Sequence, residues 1–150
     1  MIFIPEIFMS LGFLVILVIS VFLKKNSYIV VGYLSLMLIF FTQFFVLRDI
    51  FLFEEIFNSF FVIDSFGSFL KSIILISAGL VIYFYLIVKN EISLQRPEFL
   101  LVTLISIIGM MLMVSSNDLL SLFVSIELQS LALYILVSFS KDDLNSSEAG

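Results

Sequence analysis

The chain has 150 residues, of which 62% are hydrophobic and 13% are charged, and its mean hydropathy is +1.27. A soluble domain is about half apolar and a quarter charged, so these values indicate a polytopic membrane protein. The formal charge of −5 falls in short loops and the sequence has no basic patch, which argues against nucleic-acid binding. Without cysteine or histidine, the chain has no disulfide, no histidine-ligated haem and none of the usual zinc sites.

Five apolar stretches are long enough to cross a bilayer core about 30 Å thick as helices. The predicted helices cover residues 5–23, 28–47, 63–88, 97–114 and 117–139, and a short tail follows at 140–150. We therefore predict an all-α membrane protein in which residues 1–150 form a single membrane domain. The segment 48–62 mixes acidic and aromatic residues. We expect it to be partly helical and to lie on the membrane surface or against another protein.

Local signals mark where several of these helices begin. Pro5 is followed by Glu6, and the same pair recurs at 97–98. Proline at the first helical position gives up only an amide that would be unpaired, and the glutamate stabilises the positive end of the helix dipole. Between helices four and five, we expect Asn117 to cap helix five, with Asp118 in its first turn. Helices four and five should then form a tight antiparallel pair.

The cationic residues predict an orientation. If the N-terminus lies outside, only Arg48 falls in an outside loop, and the inside loops carry Lys24, Lys25, Lys89, Arg96 and Lys141. This distribution follows the positive-inside rule. It places the N-terminus in the intermembrane space or periplasm and the C-terminus in the matrix or cytoplasm.

The composition also favours a particular origin. The chain has 19 phenylalanines and no tryptophan, which is typical of an A+T-rich coding sequence. Its first residues do not form an arginine-rich amphipathic presequence, which agrees with synthesis inside an organelle. Our hypothesis is an organelle-encoded protein of the mitochondrial inner membrane.

The fifth predicted helix carries one carboxylate, Glu127, near its middle and therefore close to the bilayer midplane. An ionisable group at this depth is costly unless it is paired or hydrated, so Glu127 is a candidate proton-transfer residue. At the helical period, Ser130, Tyr134 and Ser138 fall on the same face, where their hydroxyls can line a water path. A protonated, purely structural glutamate that bonds a neighbouring helix is the alternative.

The third predicted helix places Lys71 and Asp64 on one face. Because helical side chains lean toward the N-terminus, the Lys71 ammonium can reach back to the membrane surface or to Asp64. We expect the surface-directed conformation, and we assign both residues a secondary electrostatic or structural role. The sequence contains no nucleophile–base pair and no glycine-rich phosphate loop, so soluble-type enzymology is not expected.

Several of these runs resemble subunit 2 of NADH:ubiquinone oxidoreductase (respiratory complex I). The similarity is most specific from Pro97 to Tyr134 and looser before Phe61. The residues that carry it are Pro97-Glu98-Phe99-Leu100-Leu101, the run 109–123 from Gly109 to Phe123, and the run 127–134 from Glu127 to Tyr134, together with Pro5-Glu6, Asp64-Ser65-Phe66, Lys71 and Ser147-Glu148-Ala149-Gly150.

The resemblance implies an antiporter-like, proton-pumping membrane subunit. In that family the carboxylate that matches Glu127 works with a lysine two helices further along, and this chain stops before that helix. The resemblance therefore implies a split subunit, whose second chain supplies the remaining helices. It also implies that other complex I membrane subunits and membrane lipids are partners. NADH, FMN, iron–sulfur clusters and ubiquinone would be bound by other subunits, with no cofactor in this chain.

Two further interpretations stay open at this stage. One is a purely structural membrane subunit of a respiratory complex, in which Glu127 is protonated and transfers no proton. The other is a small independent carrier, which the absence of a pseudo-symmetric second half and of broken helices disfavours. A cationic side chain from another chain next to Glu127 would distinguish the first hypothesis from the structural one.

Overall fold

A computed structural model describes residues 4–23, 27–49, 54–56, 60–87 and 97–138. All five helices are long and apolar enough to cross a membrane, which confirms the predicted all-α architecture of five spans. Their ends differ from the predicted ends by at most two residues. In chain order the elements are α1 (Ile4–Phe22), α2 (Ser27–Asp49), β1 (Glu54–Ile56), β2 (Phe61–Ile63), α3 (Ser65–Ile87), α4 (Pro97–Ser115) and α5 (Leu119–Ser138).

Some predictions fall outside the described residues. They concern the tail 140–150 and every cation of the orientation argument except Arg48. The orientation of the chain therefore stays a prediction.

The connection between α2 and α3 differs from the expected partly helical segment. Helix α2 continues to Asp49, and β1 then pairs antiparallel with β2, so that Glu54 lies opposite Ile63 and Ile56 opposite Phe61. The expectation of further helix is wrong at these strands. The run Phe61–Ile63 consists of aromatic and β-branched residues, which favour an extended backbone over a short helical turn.

The turn between α4 and α5 lies against this β-hairpin. The backbone N–H of Asn117 donates to the Phe60 carbonyl at 2.9 Å. Asp118 directly precedes α5, so the prediction that it lies in the first turn of the helix is wrong. Its carboxylate accepts the Leu120 N–H at 3.2 Å, as a helix cap does, and a capping role for Asn117 stays a prediction. A carboxylate at this position binds the free amides of the first turn and also favours the helix dipole.

Helix α4 is the centre of the bundle. It packs against α1, α2, α3 and α5, and 44% of its apolar span is buried within the chain, against 11% for α5. The predicted close pairing of α4 with α5 is confirmed at Gly109, where an added Cβ would lie 3.0 Å from the backbone nitrogen of Gln129. The largest fully buried side chains include Met9, Leu75, Ile82, Leu100, Leu104, Ile107 and Met111.

Candidate functional site

Three helices meet at one buried polar cluster. Lys71, in the second turn of α3, places its Nζ 2.5 Å from Oε1 of Glu6, which belongs to the first turn of α1. Ser115, the last residue of α4, donates its hydroxyl to the same oxygen at 3.1 Å. The three residues are between 2% and 4% exposed. The cluster therefore joins the beginnings of α1 and α3 to the end of α4.

The expectation that Lys71 extends to the membrane surface is wrong. Lys71 is only 3% exposed, and its ammonium binds Glu6. The Glu6 carboxylate lies within reach of the ammonium, and the ion pair takes the place of the contacts with water that the ammonium would make at the membrane surface.

Asp64 has a local function in the fold. Its Oδ1 accepts the backbone N–H of Gly67 at 2.8 Å, which makes Asp64 the N-cap of α3. The structure therefore gives a clear structural role to Asp64. Whether Asp64 also contributes to proton handling remains a prediction.

Glu6 is the site residue that sequence reasoning missed. Its position after Pro5 identified it as a helix-start residue, and that local role explains its presence without invoking a partner. One signal for the pair was available. Glu6 and Lys71 are opposite charges inside two predicted spans, and charges in spans usually pair.

Glu127 lies in a different environment from Glu6. It is exposed, near the middle of α5. Within the part of the chain that the structure describes, no side chain makes an ion pair or hydrogen bond with its carboxylate. The surrounding face is apolar and is formed by Leu120, Phe123, Val124, Leu131 and Tyr134, each more than half exposed.

The three hydroxyl residues predicted beside Glu127 lie on this side of α5. Ser130 donates to the Glu127 carbonyl at 3.0 Å, and Ser138 donates to the Ile135 carbonyl at 2.8 Å. Tyr134 is 59% exposed. Both serine hydroxyls are thus held by their own helix with lone pairs still free, while their role in a water path remains a prediction.

The opposite face of α5 is small, polar and buried. Ser121 donates to the Phe60 carbonyl at 3.1 Å, and Ser125 donates to the Ser121 carbonyl at 2.8 Å. Ser125 and Ala132 are each 2% exposed. These small residues let α5 pack closely against the rest of the chain, which turns the Glu127 face outward.

The chemistry available to these groups is limited. Over the described ranges, no cluster of three or more histidine, cysteine, aspartate or glutamate residues could hold a metal ion. The ionisable groups of the candidate site are the buried ion pair of Glu6 with Lys71 and the exposed carboxylate of Glu127.

No family model matches the chain. NADH-quinone oxidoreductase subunit N of Pelagibacter ubique is 37% identical over 148 residues, which cover 97% of this chain and 31% of that protein. The proteins of the same name from Bartonella bacilliformis and Paramagnetospirillum magneticum are 37% and 34% identical, and the matches cover 97% of this chain and 30% of each protein. The chain spans less than a third of the length of the curated relatives it matches.

Proposed function

We propose that this chain, which is homologous to subunit N of NADH-quinone oxidoreductase over 97% of its length, forms part of that subunit in complex I, where Glu127 takes part in proton translocation. In this proposal the chain carries no redox chemistry, and other subunits bind NADH, FMN, iron–sulfur clusters and ubiquinone. Other membrane subunits of the complex are its partners.

The exposed carboxylate on α5 is the observation that carries this proposal. Glu127 lies in the middle of a helix long enough to span a membrane, on an apolar face. An ionised carboxylate that faced lipid tails at this depth would be strongly disfavoured. The face is therefore better suited to contact with protein than with lipid.

We propose that the remaining part of the subunit covers the face of α5 that carries Glu127. The relatives are more than three times as long as the segment that this chain matches, so a full subunit has many helices available for the purpose. We propose that these helices, supplied by a second chain, lie against α5 and place a cation beside Glu127. Lys71 is not available for this role, because it is bound to Glu6.

A carboxylate can bind and release a proton when a nearby cation changes its distance from it. Removal from water favours the neutral acid, whereas a cation close by favours the carboxylate. If the cation moves toward and away from Glu127, the acid releases and binds a proton in turn. Water held by Ser130, Tyr134 and Ser138 would connect Glu127 to the next group of the path.

We also propose a location and an orientation. The mitochondrial inner membrane follows from the composition, while the relatives named above are bacterial, which agrees with an organelle protein of bacterial descent. The cation distribution favours an N-terminus in the intermembrane space and a C-terminus in the matrix.

Substitution of Glu127 by glutamine in the intact complex tests the proposal. Glutamine keeps the shape and the hydrogen-bonding capacity of the side chain but cannot exchange a proton. We expect proton pumping into sealed vesicles, normalised to the amount of assembled complex, to fall. Glu98→Gln is the matched control, because Glu98 is an exposed glutamate in the first turn of α4. Normal pumping by an assembled Glu127→Gln complex would instead support the purely structural subunit.

A further inference from the structure

We propose that the groove between α2 and α3 is a docking site for a membrane-spanning helix of another polypeptide, and that Gln43 is the residue that recognises this helix. The occupant is an apolar helix that carries a polar side chain, such as serine, threonine, asparagine or glutamine, at the depth of Gln43. This inference rests on the proposed function only in taking the chain to be part of a larger membrane complex. It does not depend on the role of Glu127.

Gln43 is a polar residue without a partner inside an apolar span. Its side-chain Oε1 is buried and accepts no hydrogen bond from the described residues. Gln43 lies six residues before Asp49, the end of α2, and therefore about 9 Å inside the helix. Water does not reach this depth of a bilayer, and buried polar groups in proteins are nearly always hydrogen-bonded. The unpaired amide therefore indicates a partner from another polypeptide.

The groove beside Gln43 has the size and the lining of a helix-packing surface. Its volume is about 230 Å³. One water molecule takes about 30 Å³ in the liquid, so a single trapped water would not fill the groove. Apart from Gln43 and Gly79, the lining side chains are apolar, and Phe40 and Ile76 among them are more than half exposed. The groove is thus open to an apolar partner along its walls.

Gly79 allows a second helix to approach closely. A Cβ added at Gly79 would meet only Ile39, at 3.8 Å, so the backbone of α3 is open to the groove at this residue. Membrane helices associate through close packing at small residues and through hydrogen bonds between polar side chains. Rotation about the Gln43 side-chain bonds can carry the amide into the groove, where a polar side chain can bond it. A lipid chain can fill the groove but cannot bond the amide.

The groove is separate from the face of α5 that carries Glu127. Its lining residues among those described belong to α2 and α3, whereas α5 packs chiefly against α4. A helix in the groove is therefore held by different elements from a helix that lies beside Glu127. The proposed complex can supply both, because the relatives are named as one subunit of a larger oxidoreductase.

Photo-crosslinking in the intact complex identifies what lies in the groove. Phe40 is replaced by p-benzoylphenylalanine, the membrane is irradiated, and the adduct is identified by mass spectrometry. We expect a peptide from an apolar span of another polypeptide, with a polar residue in that span. Gly79→Leu fills the groove and should abolish this adduct, whereas the matched control Gly79→Ala should retain it. An adduct with lipid alone or with a second copy of this chain, or no adduct at all, overturns the inference.

Gln43→Leu separates helix docking from support of the chain's own fold. We expect the ratio of chain in the complex to free chain to fall about 3- to 20-fold, the effect of losing one hydrogen bond between membrane helices. The full chain alone in detergent should unfold at the same or a higher denaturant concentration, because an unpaired buried amide has been removed. An unchanged ratio, or a lower unfolding midpoint of the chain alone, would show that Gln43 does not recognise a partner helix.

The two proposals can fail separately. If the helix adduct forms while an assembled Glu127→Gln complex pumps normally, the groove stands and the role of Glu127 is rejected. If Glu127→Gln pumps poorly while Phe40 reaches only lipid, the proposed function stands without the docking site.

Discussion

Two glutamates of this chain, each on an apolar membrane-spanning helix, lie in opposite environments. Glu6 is 4% exposed and binds Lys71 and Ser115 from two other helices. Glu127 is exposed, and its carboxylate has no side-chain partner in the part of the chain that the structure describes. The difference arises from packing rather than from residue type. The chain pairs Glu6 with its own lysine, whereas Glu127 has no side-chain partner among the described residues.

The packing of α5 explains this difference. Helix α4 contacts all the other helices, whereas α5 packs chiefly against α4. A helix with a single large contact must leave most of its surface uncovered, and α5 is accordingly the least buried of the five. Each of the other four helices packs against at least two neighbours, and α5 presents Glu127 at the edge of the bundle.

The largest expected effect on stability comes from removing the lysine that pairs with Glu6. Lys71→Met leaves the Glu6 carboxylate buried without its counter-charge, which should lower the free energy of unfolding by about 3–5 kcal/mol. Chemical denaturation of the chain purified in detergent, followed by circular dichroism, measures this change. Adding Glu6→Gln to the same variant should recover most of the loss. A Lys71→Met variant as stable as the wild type would show that the ion pair does not hold α1 and α3 together.

An intermediate effect on stability is expected at Gly109, where α4 packs against α5. At Gly109 an added Cβ would lie 3.0–3.2 Å from the backbone and Cβ of Gln129, whereas at Gly79 it would meet only Ile39, at 3.8 Å. Gly79→Ala should be neutral or should stabilise the chain by up to about 1 kcal/mol, because alanine favours a helix. Gly109→Ala should be less stable than Gly79→Ala by about 1–3 kcal/mol, since α4 and α5 must move apart.

The same denaturation measurement tests this pair of variants. Equal stabilities would mean that α4 and α5 are not in close contact at Gly109. Because the two substitutions are chemically identical, the difference between them isolates the contact from the helix propensity of alanine.

The smallest effect on stability is expected at Glu127. In the chain purified alone, Glu127→Gln should change the free energy of unfolding by less than about 0.5 kcal/mol, because no described residue pairs with the carboxylate. A change as large as that of Lys71→Met would reveal a partner for Glu127 within this chain. The difference between these two variants in the free energy of unfolding therefore compares the ion pair of Glu6 with the unpaired carboxylate of Glu127.

Local sequence patterns were sufficient to predict much of this fold. The lengths of the apolar runs predicted five spans, Pro97 marked the start of α4, and the short polar turn at Asn117 and Asp118 indicated the close pairing of α4 with α5. Each of these features depends on a few neighbouring residues or on a steric rule.

Features that depend on distant residues were missed. Glu6 and Lys71 are far apart in the chain, and the packing of both α1 and α3 against α2 and α4 brings them together. The strand Phe61–Ile63, in place of a helical turn, combines residues that favour an extended backbone with pairing to β1 and a bridge to Ser116, and the pairing depends on distant residues. The outward direction of Glu127 likewise depends on which face of α5 packs against α4.

The most direct measurement is the distance from the Glu127 carboxylate to the nearest cationic nitrogen in a structure of the intact complex at side-chain resolution. We expect a lysine or arginine from outside this chain within about 4 Å, the range of an ion pair, or joined to Glu127 through one water molecule. Lipid tails or purely apolar side chains around Glu127 would contradict its role in proton translocation.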